Sequence, residues 1–132
     1  MKIRYLSVAG AMMMASTVAM AGLTSPQPVA VTVNADMSGS ATGAMTSARF
    51  TANRVEYIGC GVRYYASGSS VYRYGWCQAA NSAGTSVFCS VDGTDLLDAI
   101  VGLANYSYIT FGWDAAGNCT RIGYSTQSMY IP

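Results

Sequence analysis

The 132-residue chain contains no histidine, a single lysine (Lys2), and charged side chains at only 10% of its positions. Each shortage excludes something. Histidine is the side chain best suited to moving protons near neutral pH, so that route to acid–base catalysis is closed. Its absence also leaves no histidine to complete a zinc shell, and the four cysteines, Cys60, Cys77, Cys89 and Cys119, form no C-x-x-C pair. With lysine missing after residue 2, no amine nucleophile is available, and the many serines sit in no G-x-S-x-G turn. Asp92, Asp95 and Asp98 form a D-x-x-D-x-x-D run. It lacks the alternating spacing of a calcium loop, and at a helix start such acids serve capping and dipole compensation. The expectation is a protein that is not an enzyme and uses neither metal nor cofactor.

What is present begins with a basic "MKIR", the apolar "YLSVAGAMMMASTVAM", and small residues at Ala19 and Ala21. That order is the pattern of a secretory signal peptide over residues 1–21, cleaved after Ala21. The run is too short and too interrupted by Ser and Gly to span a bilayer comfortably. No cysteine follows the cleavage point, so no lipid anchor is expected, and the short Met/Ala-rich form is bacterial in style. The protein is therefore expected to be secreted, periplasmic or at the cell surface, with no membrane span once the signal is removed.

Removing 21 of 132 residues leaves 111, with five arginines (49, 54, 63, 73, 121) against six acids, a formal charge of −1. A nearly neutral chain with scattered cations has no electrostatic footprint for nucleic acid or an anionic membrane. Four cysteines in an exported chain read as two disulfides.

Hairpin signals constrain the pairing. Ser82-Ala83-Gly84 and Ala115-Ala116-Gly117 both fit three-residue loops that end on a glycine with positive φ. The first sets Ala79 opposite Val87 and Cys77 opposite Cys89, a disulfide distance if the pair lacks backbone hydrogen bonds. The second sets Asp114 opposite Asn118 and Cys119 opposite Trp113.

The stretch "GCGVRYYASGSSVYRYGWC", residues 59–77, carries five aromatics and two arginines between two cysteines. With Ser67-Gly68-Ser69 as its loop, Ile58, Cys60, Val62 and Tyr64 face Tyr72, Tyr74 and Trp76 on an apolar core side. Arg63, Tyr65, Val71 and Arg73 then meet water. That register leaves Cys60 to pair with Cys119 beside Cys77–Cys89. A two-residue Gly68-Ser69 turn would instead set Cys60 opposite Cys77 and Tyr64 opposite Arg73, mixing the faces, which a half-buried sheet resists. The first register is the one expected.

"DGTDLLDAIVGLANY" breaks the strand rhythm, with apolar residues at 96, 97, 100, 101, 103 and 104. This is helical spacing, expected over about 94–104, capped by Thr94 or Asp92 and stopped near Asn105. Residues 22–48, poor in aromatics and rich in Ser, Thr, Ala and Gly, read as a flexible lead in which "VAVTV" could add one strand. The fold class expected for 49–132 is α+β: a small antiparallel sheet of about six strands, one helix across its apolar face, and two disulfides as staples.

"YIGC", the Cys77–Cys89 spacing, and "SYITFGWD" running into "GNCT" resemble a family of small exported four-cysteine bacterial proteins, over about residues 54–132. The resemblance implies export, paired cysteines and one domain, and carries over no catalytic residue. Function then falls between two classes. One is an extracellular or cell-surface binding or structural module whose surface is Arg63, Tyr65 and Arg73, facing a protein or glycan partner; a homo-oligomer is compatible with it. The plainer account of those side chains is a solvated sheet face. The other class is an inhibitor of a hydrolase, presenting "ASGSS" at 66–70 as a rigid loop. The lack of a basic amphipathic face disfavours a membrane-active toxin.

Overall fold

The computed structural model of the chain describes residues 22–132. The signal peptide expected over 1–21 lies outside the described residues. The fold is β-rich, with seven strands in two antiparallel sheets: β1 (Ala30–Val33), β2 (Gly39–Ala44), β3 (Tyr57–Ser67), β4 (Ser70–Ala80), β5 (Ser86–Val91), β6 (Tyr108–Trp113) and β7 (Cys119–Ser125). One sheet runs β1-β2-β6-β7 and the other β3-β4-β5. A short helix α1 (Met45–Phe50) follows β2, the main helix α2 (Thr94–Val101) follows β5, and a 3-10 turn at Ser128–Tyr130 ends the chain. Among the described residues no helix is long and apolar enough to cross a membrane.

The single six-stranded sheet is therefore corrected to two sheets. Within residues 22–48, "VAVTV" supplies the one strand it could add, β1, and the remainder, read as a flexible lead, supplies β2 and the start of α1. Small residues are what this position needs. Gly39, Ala41 and Gly43 lie directly opposite Trp113, Phe111 and Ile109; the Trp113 ring fills the space over Gly39, and Val29 fills that over Gly43. Ala41, Ile109 and Phe111 are fully buried. Burying each large side chain of this kind contributes about 1.5–3 kcal/mol. The second sheet adds Ile58, Cys77, Ala79, Cys89 and Val91 to the same core, and α2 adds Leu97 and Ile100.

Both three-residue loops form as expected. Asn81 N–H donates to Thr85 O at 3.1 Å with Gly84 at φ 82°, and Asp114 N–H to Asn118 O at 3.0 Å with Gly117 at φ 84°. Helix α2 starts at Thr94 as expected, but Gly93 occupies the cap position and no side chain caps it. It ends earlier, at Val101, because Leu103 N–H turns back to Ile100 O at 3.0 Å and tightens the chain out of the helix.

The β3–β4 hairpin takes the register that was not expected. Ser67 pairs with Ser70, so Gly68-Ser69 is a two-residue turn, with Gly68 at φ 61° in the first central position that a type II′ turn reserves for glycine. Cys60 is then opposite Cys77, and the disulfides are Cys60–Cys77 and Cys89–Cys119, not Cys60–Cys119 and Cys77–Cys89. Cys77 does face Cys89 on its other side. Antiparallel strands alternate between pairs that exchange backbone hydrogen bonds and closer pairs that do not. Counting by twos from the bonded Asn81–Thr85 pair makes Cys77–Cys89 a hydrogen-bonded, wider pair. Cys60–Cys77 falls on the closer kind, with Cα atoms 4.0 Å apart, and closes there. Cys89 is left to reach Cys119 on the other sheet, Cα to Cα 5.1 Å.

Candidate functional site

β5 pairs with β4 only between Gly75 and Ala80. Residues 63–67 and 70–74 therefore project as a two-stranded arm past the edge of the sheet. A third strand is what normally makes one face of a hairpin a core face. Without it, alternation along the arm has no inside: Tyr64, Tyr72 and Tyr74, expected in the core, are 50–55% exposed, as is Tyr65, expected in water.

Arg63 and Tyr65 lie on the outer face of this sheet, together with Tyr72, Tyr74 and Trp76. The rings form a continuous series. Tyr72 stacks on Tyr65 at 5.5 Å, Tyr65 meets Tyr74 edgewise at 6.3 Å, and Tyr74 lies 5.8 Å from Trp76. Trp76 lies low because its cross-strand partner is Gly61, where an added Cβ would sit 2.6 Å from the indole Cζ2. The Arg63 guanidinium carbon is 4.9 Å from the indole centroid, a cation–π distance. Farther along the face, Phe88 on β5 is 60% exposed opposite Gln78.

Arg73 does not join this cluster. It lies on the other face with Tyr64, where its Nη1 donates to Asp98 Oδ1 of α2 at 2.8 Å. That contact holds Arg73 even more firmly in its charged form, chiefly through the hydrogen bond it donates to Asp98. Of the three side chains expected to share a surface, the structure brings together Arg63 and Tyr65 and assigns Arg73 to bracing the arm against the helix. Sequence reasoning missed Tyr72, Tyr74, Trp76 and Phe88 as surface groups. The expected register set Cys60 opposite Trp76, so the glycine under the indole, Gly61, gave no signal until the true register was known.

Clefts occur elsewhere. One of about 380 Å³ lies between residues 24–28, α1 and the C-terminal residues Met129 to Pro132; another, about 630 Å³, is flanked by Arg49 and Arg54. Glu56 borders both. Its carboxylate accepts from Val29 N–H at 2.9 Å and Asn53 Nδ2 at 2.7 Å, so it is engaged in holding the loop. Among the described residues no three His, Cys, Asp or Glu side chains gather as a metal cluster. Comparison with protein-family models, curated proteins and solved structures gives no match.

Proposed function

We propose that this chain is an exported, non-enzymatic binding module of the bacterial cell surface or extracellular space, and that the outer face of β3–β5 is its binding surface. One observation carries the reading: a connected row of half-exposed aromatic rings on a sheet face, with an arginine stacked at its end. Exposed apolar surface that is contiguous is costly to maintain and commonly marks an interaction site, and Tyr, Trp and Arg are frequent binding anchors. Two disulfides suit an oxidising compartment, and Cys60–Cys77 holds the base of the arm rigid, so that little ordering entropy is lost on binding. The likeness to small exported four-cysteine bacterial proteins is part of the same reading.

The test is retention of the oxidised, signal-free protein on cell envelope and on extracellular material. The wild type should be retained, and Tyr65→Ser with Tyr74→Ser should lower retention at unchanged fold. Undiminished retention of that double variant would move the site elsewhere. A second reading, inhibition of a hydrolase, is favoured by the Gly68-Ser69 tip standing at the end of the arm above a disulfide. It requires a stoichiometric complex with an enzyme that is lost when the tip is changed.

A further inference from the structure

The rings on the outer face follow one another at 5.5, 6.3 and 5.8 Å, from Tyr72 through Tyr65 and Tyr74 to Trp76. One such ring would serve a single small ligand. The path crosses from Tyr72 to Tyr65 and back to Tyr74, so the rings make a patch two strands wide rather than a slot for one ring, and such a patch suits a ligand of several linked rings with apolar faces.

Charge on this face is one-sided. The β3, β4 and β5 positions that share it hold Arg63 and no carboxylate. Arg63 makes a 3.4 Å hydrogen bond to the carbonyl of its own neighbour, Val62, while the ion pair recorded among the described residues belongs to Arg73 and Asp98. A guanidinium stacked on an indole keeps the edge that matches a carboxylate in two parallel hydrogen bonds. An acidic peptide would offer charge to that edge but no repeating ring faces to the row beside it.

Resting on the binding-face reading above, we infer that the occupant is an acidic polysaccharide: sugar rings lie against Tyr72, Tyr65 and Tyr74, and a uronate carboxylate takes the fork of Arg63 where it stacks on Trp76. The chain's overall charge opposes such a partner weakly, so attraction comes from this face rather than from the molecule as a whole.

Titration calorimetry of the oxidised protein with oligomers of polygalacturonate tests this. Their methyl esters, which keep the rings and lose the charge, and polyglutamate, which keeps the charge and lacks the rings, serve as comparisons. The acidic oligomer should bind at least about tenfold more tightly than either. Arg63→Gln should bring it down to the level of the ester, Tyr74→Ser should weaken both oligomers, and Arg73→Gln on the opposite face should change neither. Equal binding of acid and ester, or polyglutamate binding as tightly as the uronate, overturns the inference. Tyr74-dependent retention on envelope without uronate binding overturns it as well, yet leaves the binding-face reading standing. No retention on envelope and no binding to any of the three overturns both.

Discussion

Arg63 and Arg73 carry the same group on opposite faces of one arm, and their neighbours make them do different work. Arg73 meets Asp98 at 2.8 Å, with the carboxylate largely exposed. Exposed ion pairs contribute little, so Arg73→Gln should shift a denaturant midpoint only slightly and leave retention intact; a shift as large as that of a core truncation would give the arm a stronger brace than the contact implies. Tyr64→Ala and Tyr74→Ala should likewise cost far less than Phe111→Ala, for which about 3–5 kcal/mol is expected from a filled core. Glu56 gives a pH test. Burial alone would raise its pKa, but hydrogen bonds from Asn53, Val29 and Thr51 outweigh it and hold the carboxyl below its ordinary 4.5. A carboxyl depressed in the fold adds stability above its unfolded pKa and loses it as pH falls through the lower folded value. The wild type should therefore weaken on acidification from about pH 4.5 downward, and Glu56→Gln, less stable at neutral pH, should weaken less steeply. Guanidinium midpoints across that range measure it, and parallel curves would show that Glu56 takes no part.

Elements are positioned here by glycine as much as by apolar residues. Helix α2 settles on β4 at Gly75, where an added Cβ would lie 2.7 Å from Leu97 Cδ2 and 2.9 Å from Ile100 Cδ1. Gly75→Ala should then cost about 1–3 kcal/mol by overpacking, read from thermal or denaturant unfolding. Gly61→Ala acts on the surface instead: it lifts the Trp76 indole and Arg63 with it, so tryptophan emission and partner retention should change while the melting temperature moves less. These elements differ in how far the chain announces them. The loops at 82–84 and 115–117 were legible because a glycine at a set offset defines the turn, and the start of α2 because apolar spacing changes from two to nearly four. The β3–β4 register was not. Patterning decides register only where one face is buried, and this arm runs beyond its third strand with both faces in water. A one-residue difference in the turn then moved Arg73 away from Arg63 and turned Tyr72 and Tyr74 outward.

At the scale of the whole molecule, two sheets share one core, and the chain enters the first sheet through residues whose smallness resembles that of a linker. Composition does not separate a linker from a strand that must pair with Trp113, Phe111 and Ile109; only knowledge of the partner strand does. The same dependence on partners governed the cysteines, since three of them stand in one row across β3, β4 and β5 and the middle one faces a cysteine on either side. The two bridges now have distinct work. Cys60–Cys77 joins strands already paired along their length, across a separation of 17 residues. Cys89–Cys119, separated by 30, ties one sheet to the other, where only Ser90 N–H to Gly117 O at 3.0 Å adds a backbone link between those strands. Loop entropy by itself rates them nearly alike, about 3 and about 3.5 kcal/mol. The difference should come from what each holds. Replacing Cys89 and Cys119 by serine should lower the melting temperature more and broaden the transition, because the sheets can then separate in steps. Replacing Cys60 and Cys77 should keep one sharp transition while loosening the base of the arm, so retention on a partner should fall more than stability does. Mass spectrometry of an unreduced digest checks the pairing directly, and two double variants that melt alike would show that the sheets are held together by their core rather than by the bridge between them.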